Sequence, residues 1–317
     1  MPDDASEEIA RALLTSAQEG DKNLLHLRTY GLVKPLGRGG NGAVYLLRSE
    51  HYNQHIALKL MLPDKADESG AIKVFFREIE NAKALSHRNI VKLYQYGHSQ
   101  QACFFTMEYC DGGSVEKLVS EYRGGSIPLD SAGMIILDAL AGLEHAHKAT
   151  IPYVERADGT SGPGTGLVHR DLKPSNLLVS GVGASRTAKV SDWGLAKVHE
   201  TAGFSGITRS GPGQAIGSAR FMCRQVVEDY KYSGPEVDVW AMAATFYYML
   251  TGSTPREFQA GRDPWHVVLM TKPVPIRQRD PTVPDDLAKL LDRVLDDSRP
   301  MHFTSAGEFS VALKAVL

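Results

Sequence analysis

The stretch Val168-His169-Arg170-Asp171-Leu172-Lys173-Pro174-Ser175-Asn176-Leu177-Leu178 sets a carboxylate, an ammonium and an amide within six residues, then runs into an apolar strand. Each group has its own chemical capacity. Asp171 can orient a hydroxyl and take its proton. Lys173 can neutralise charge on a group in transfer, and Asn176 can offer an amide oxygen to a hard divalent cation. A polar turn before a strand uses the same residue types, so the loop gains meaning only from other motifs placed in order along the chain.

Those motifs exist. Leu36-Gly37-Arg38-Gly39-Gly40-Asn41-Gly42-Ala43-Val44 separates two strand-like apolar runs. Such glycines let backbone amides approach phosphate oxygens without side-chain clash. A strand, not a helix, follows this turn, which argues against a dinucleotide-binding fold. His55 to Met61 is a further alternating strand, with Lys59 fifteen residues after Val44. Residues 70–86 read as a helix, apolar at Val74, Phe75, Ile79, Ala82 and Leu85 and carrying Glu78 and Glu80. The strand from Cys103 to Met107 ends in a polar hinge closed by Gly112-Gly113.

Taken in this order, the residues from about Tyr30 onward resemble a Ser/Thr protein kinase of the Hanks type, in the bacterial style. His169-Arg170-Asp171-Leu172-Lys173 with Asn176 is similar to the family's catalytic loop. Asp192-Trp193-Gly194 is similar to Asp-Phe-Gly, with Trp for Phe. The resemblance implies an α+β, bilobal protein-kinase fold: a small β-rich N-lobe (about 29–109) with one key helix, and a larger helical C-lobe (about 110–317). Residues 1–28 would be an N-terminal extension, helical at most over 5–18 and equally readable as a frayed tail.

The resemblance also implies ATP and Mg²⁺. Gly37, Gly39 and Gly42 would cover the phosphates, with Leu36, Val44, Ala57 and Leu178 around the base. Met107 would be the gatekeeper, and the backbone at Glu108 and Cys110 would hydrogen-bond adenine. Lys59 would contact the α- and β-phosphates and pair with Glu78, which stands nine residues before His87 of His87-Arg88-Asn89-Ile90-Val91; Glu80 would face water. Asp171 would be the base or orienter, Lys173 the charge partner of the moving phosphoryl group, and Asn176 and Asp192 the metal ligands. Asp238 would anchor the catalytic-loop backbone.

The chain also departs from the family's pattern. Residues 157–166 form a Gly-, Ser- and Thr-rich insert, read as a flexible surface loop. Cys223-Arg224-Gln225 replaces Ala-Pro-Glu, so Gln225 would offer only neutral hydrogen bonds where a glutamate normally meets an arginine, here Arg299. Residues 195–216 would be the activation segment, with Thr201, Ser205, Thr208 and Ser210 as acceptor hydroxyls. Arg170 would clamp a phosphate on Thr208 or Ser210 after autophosphorylation.

Composition bounds the rest. The chain has 317 residues, 43% hydrophobic and 23% charged, with a formal net charge of −2, which points to no nucleic acid. The apolar run from Val239 to Leu250 is too short to span a bilayer, and the acidic start lacks the basic segment of a signal peptide. Cys103, Cys110 and Cys223 show no metal spacing and imply reduced thiols in a cytoplasm. The expected activity is transfer of the ATP γ-phosphate to Ser or Thr hydroxyls of proteins; the substrate and the oligomeric state are not legible. Two other readings keep the fold: a pseudokinase-type ATP-binding scaffold, and a small-molecule kinase.

Overall fold

The computed structural model describes the chain except residues 1–3, 40–41, 62–67, 100–101, 156–159, 182, 194–216, 230–232, 260 and 299. The described residues form two compact units. One takes the chain up to Ser86 together with Val91–Tyr109; the other takes His87–Ile90, Cys110–Trp193 and the residues from 217 onward.

The first unit is built on a five-stranded sheet in the order β1-β2-β3-β5-β4. Its strands are β1 (Tyr30–Gly39), β2 (Gly42–Ser49), β3 (His55–Met61), β4 (Leu93–His98) and β5 (Cys103–Glu108). Pro35 cannot donate to a ladder, and it lies on the edge strand β1 at a shift in register. Strand alternation gives the sheet two faces. Val44 stands opposite Lys59 and Leu46 opposite Ala57, so these share one face. Ala43, Tyr45, Leu47, Ile56, Leu58, Leu60 and Phe104 form the other.

That second face is covered by the N-terminal segment. Helix α1 (Asp4–Gln18) turns Ala10, Leu13, Leu14 and Ala17 into one apolar cluster with Leu24, Leu27 and the sheet residues just named. Of the two readings left open for this segment, an amphipathic helix and a frayed tail, the helix is the one observed: the apolar stripe is buried, and burial holds a helix that would be marginal alone. Helix α2 (Glu68–Lys83) sets Phe75 at 6.4 Å from the Phe105 ring and Phe76 at 5.4 Å from Tyr96.

The second unit is mainly helical: α3 (Val115–Glu121), α4 (Leu129–Lys148), α5 (Arg224–Glu228), α6 (Pro235–Thr251), α7 (Pro264–Met270), α8 (Ile276–Arg279), α9 (Asp285–Leu295) and α10 (Ala306–Lys314). Helix α6 is buried almost throughout, from Val237 to Tyr247. It stops at Gly252, which adopts φ +66 and returns its N–H to the Tyr248 carbonyl. A small sheet in the order β10-β9-β6, from β6 (Gly113–Ser114), β9 (Leu177–Ser180) and β10 (Thr187–Val190), flanks the catalytic-loop sequence.

The 157–166 insert is not simply a loop. Its second half pairs as β8 (Ser161–Thr165) with β7 (Thr150–Glu155) in an antiparallel hairpin. Glycine is required there by packing: an added Cβ on Gly164 would come within 2.5 Å of Val154 Cγ2.

Candidate active site

In the first unit, Gly37 faces Val44 and Gly39 faces Gly42 across the β1–β2 hairpin. Gly42 has φ +114, and a Cβ there would approach the Leu60 carbonyl oxygen to 1.8 Å, so backbone and packing both demand glycine. Gly37 differs, because an added Cβ would meet no protein atom within 4 Å. The space beside its Cα is open, which leaves room for a ligand to approach. Val44, Ala57, Lys59 and Met107 share one sheet face through the pairs Val44–Lys59 and Ala57–Met107, and Leu36 stands 39% exposed near the hairpin.

Lys59 and Glu78 are 4% and 7% exposed. A buried ammonium or carboxylate is tolerated only in charged or hydrogen-bonding company, and neither residue is without interactions. Lys59 Nζ lies 6.0 Å from the centroid of Phe105. Glu80 does not face water as expected; it is half-buried and accepts the Tyr96 hydroxyl. The Glu108 N–H donates to the Lys92 carbonyl at 2.9 Å and so is not offered to a base. Cys110 belongs to the second unit, and its carbonyl accepts the Gly113 N–H at 3.3 Å.

In the second unit the loop from His169 to Asn176 is closed on itself. Lys173 Nζ donates to Asp171 Oδ2 at 2.8 Å and to Ser218 Oγ at 2.9 Å. Asn176 Nδ2 donates to the Asp171 carbonyl at 2.7 Å. A carbonyl can only accept, so the amide nitrogen is fixed there and the amide oxygen is presented on the other side. His169 Nε2 lies 2.7 Å from the Ser191 carbonyl and must carry the proton, while Nδ1 accepts the Asp171 N–H at 3.3 Å. Through Ser191, whose N–H and hydroxyl both donate to the Asn176 carbonyl, this loop is tied to the residue before Asp192. Trp193 packs its ring 4.9 Å from His169 and donates its indole N–H to the Val190 carbonyl at 3.2 Å, a bond that phenylalanine lacks. Leu178 is half-buried on β9, opposite Ser114 and Lys189.

Two non-glycine residues among those described have positive φ: Arg170 at +64 and Asp192 at +62. Such strain persists only where the surroundings fix it. At Arg170 the fixing group is Asp238, fully buried at the start of α6. Its carboxylate accepts the N–H of His169 and of Arg170, each at 2.8 Å, and meets His147 Nε2 at 2.8 Å.

Electrostatics follow from these contacts. Burial alone would raise the Asp171 carboxyl. The charge and hydrogen bond of Lys173, with His169 and Ser218, outweigh it and hold Asp171 below the ordinary carboxylate value. Burial likewise opposes ionisation of Asp238, and the bond and charge of His147, together with His169, reverse it.

The oxygen donors fit a hard cation. Asn176 presents its amide oxygen, and Asp192 holds a carboxylate on a constrained backbone. Among the described residues no three His, Cys, Asp or Glu side chains converge as a metal cage. A cation that completes its shell with phosphate oxygens and water needs no such cage.

The family model for the protein kinase domain matches residues 30–305. The chain belongs to the protein kinase family. Its relatives include the serine/threonine-protein kinase PknJ of Mycobacterium tuberculosis, 28% identical over 296 residues, covering 91% of this chain and 45% of PknJ. PknD of the same organism is 29% identical over 288 residues, covering 89% of this chain and 39% of PknD. The chain thus spans less than half the length of these curated relatives. A crystal structure of a double mutant of the M. tuberculosis PknI kinase domain superposes with a TM-score of 0.65 at 22% identity, over 90% of this chain and 95% of that one. This likeness confirms the kinase fold, a β-sheet N-lobe with a helical C-lobe. The family implies use of ATP and a divalent metal.

Within this kinase domain the structure adds partners that the motifs did not name. His147 joins Asp238, although its only sequence signal is a histidine at the end of an amphipathic helix. Gln225 does not offer a merely neutral bond: its amide donates to the Glu236 carboxylate at 2.7 Å. Arg299 and the activation-segment residues Thr201, Ser205, Thr208 and Ser210 lie outside the described residues.

Proposed function

We propose that this chain is a serine/threonine protein kinase that transfers the γ-phosphoryl group of Mg-ATP to Ser or Thr hydroxyls of proteins. The observation that carries the proposal is Lys173 bonded at once to Asp171 and to Ser218. An acceptor hydroxyl placed at that cluster meets a carboxylate that is ionised throughout the neutral range. Asp171 orients the hydroxyl by accepting its hydrogen bond. Its depressed basicity means that it takes the proton late, as suits a loose transfer in which positioning dominates. That contribution is worth roughly 10²–10⁴-fold in rate. Lys173 meets the charge on the moving group.

Bound Mg²⁺ supplies charge neutralisation and alignment of the phosphates. Asn176 and Asp192 are the residues proposed to hold it. Gly37, Gly39 and Gly42 offer backbone to the phosphates, and Lys59, supported by Glu78, offers charge. Leu36, Val44, Ala57, Met107 and Leu178, with the backbone of Glu108 and Cys110, receive the base. The kinase domain is taken as 29–317, with lobes 29–109 and 110–317 and an extension over 1–28. Autophosphorylation at Thr208 or Ser210 belongs to this proposal, as does a reducing, cytoplasmic setting that suits three buried free cysteines.

The test is an acceptor panel with Mg-ATP: basic and acidic proteins, an aminoglycoside and choline. Phosphoserine or phosphothreonine on proteins supports the reading. Phosphate on the small alcohols alone assigns a small-molecule kinase, and ATP binding without transfer assigns a scaffold.

A further inference from the structure

Gln225 stands where the family sequence has a glutamate, and it turns to Glu236. An amide at 225 cannot form the ion pair that a glutamate there would make. Another buried ion pair lies against the same backbone. Arg256, 2% exposed, follows α6, and Asp297, 7% exposed, follows α9. Arg256 Nη2 bonds Asp297 Oδ2. That same oxygen accepts the Arg224 N–H at 2.8 Å, while Arg256 Nη1 donates to the Met222 carbonyl at 3.2 Å. The pair thus grips the chain on both sides of Cys223, itself 1% exposed.

The guanidinium is anchored on a third side as well. Nε donates to the Thr271 carbonyl at 3.0 Å, and the group lies 5.0 Å from the Trp240 ring, whose indole N–H is held by the Leu295 carbonyl at 2.9 Å. A buried ion pair is seldom more stabilising than apolar packing of the same volume. What apolar side chains cannot do is fix a carbonyl and an N–H two residues apart. Arginine's rigid fork suits that task. From Met222 the chain leads back to the reacting cluster: the Phe221 N–H donates to the Ser218 carbonyl at 3.0 Å, and Ser218 Oγ accepts Lys173 Nζ.

We infer that Arg256 and Asp297 are positioning residues for the segment 218–224. They hold Ser218 at Lys173 and so set the frame in which a protein hydroxyl reaches Asp171. This inference rests on the protein-kinase reading above.

The experiment uses the full chain with Asp297→Asn, which keeps the volume and removes the charge. Amide exchange is compared over 219–229 and over 239–250, beside KM for myelin basic protein and for ATP. We expect exchange over 219–229 to accelerate about tenfold while 239–250 stays within about twofold. We expect KM for the protein acceptor to rise about fivefold, with KM for ATP within about twofold. Equal acceleration in both regions, or none in either, overturns the inference. So does local loosening with an unchanged acceptor KM. Should Asp297→Asn fail to fold, Arg256→Lys keeps the charge but loses the fork, and the same split is expected. If the wild type transfers no phosphate, the kinase reading fails, and the exchange pattern alone decides whether the pair braces the segment.

Discussion

His147, in the last turn of α4, and Asp238, in the first turn of α6, meet at 2.8 Å between Nε2 and Oδ2, with both side chains buried. The same carboxylate holds the backbone of His169 and Arg170, so one buried anion joins two helices to the catalytic loop. Asp238→Asn turns an amide N–H toward these donors and should cost about 2–4 kcal/mol at neutral pH. The Asp238 carboxyl is held below its ordinary value, so its stabilisation is present above about pH 4 and is lost as pH falls through the depressed value. Urea unfolding of wild type and variant should therefore show a gap that narrows below about pH 4. A gap of constant size contradicts this role.

Lys173 governs the ionisation of Asp171. In the wild type, Asp171 places no acid limb in the neutral range, because its carboxyl is already depressed. Lys173→Met removes the largest opposition to burial at Asp171, so the acid limb of kcat/KM should move up. The plateau rate should drop roughly 10²–10³-fold. An unmoved acid limb in the pH profile would separate Lys173 from Asp171.

Restoring the family's glutamate should harm this protein. Gln225→Glu sets a second carboxylate at the 2.7 Å contact with Glu236 and removes a charge-assisted bond. The expected loss is about 1.5–3 kcal/mol by denaturant unfolding at pH 7. A gain in stability would mean that residue 225 serves an arginine instead.

Helix α1 is a structural part of the first unit. Leu13 is 3% exposed in the cluster that covers the sheet. Leu13→Ala should cost about 2–4 kcal/mol. Arg11→Ala, which removes only the exposed pair with Glu7, should change stability by less than about 0.5 kcal/mol. Equal effects in equilibrium unfolding would contradict the docking.

The sequence was most legible where chemistry is local. Asp171, Lys173 and Asn176 fall within one short loop, and their spacing names the motif once the glycine-rich turn, Lys59 and Asp192 are found in order around it. The strands of the first unit were legible through alternation, and α6 through its unbroken apolar run. The sheet face under α1 was not, because an amphipathic stripe says that something covers it and not what. The β7–β8 hairpin was hidden by composition: a glycine-rich stretch reads as loose until Val154 is seen to require Gly164. Arg256 and Asp297 lie 41 residues apart, joined by no periodicity, so only the fold brings them together.

The most direct test of the central claim is the intact mass of wild type and Asp171→Ala after incubation with Mg-ATP and myelin basic protein. Whole phosphates on Ser or Thr of the chain or of the acceptor, with the wild type alone, are the predicted result. No phosphate on either protein, or equal phosphate with Asp171→Ala, would contradict phosphoryl transfer at this loop.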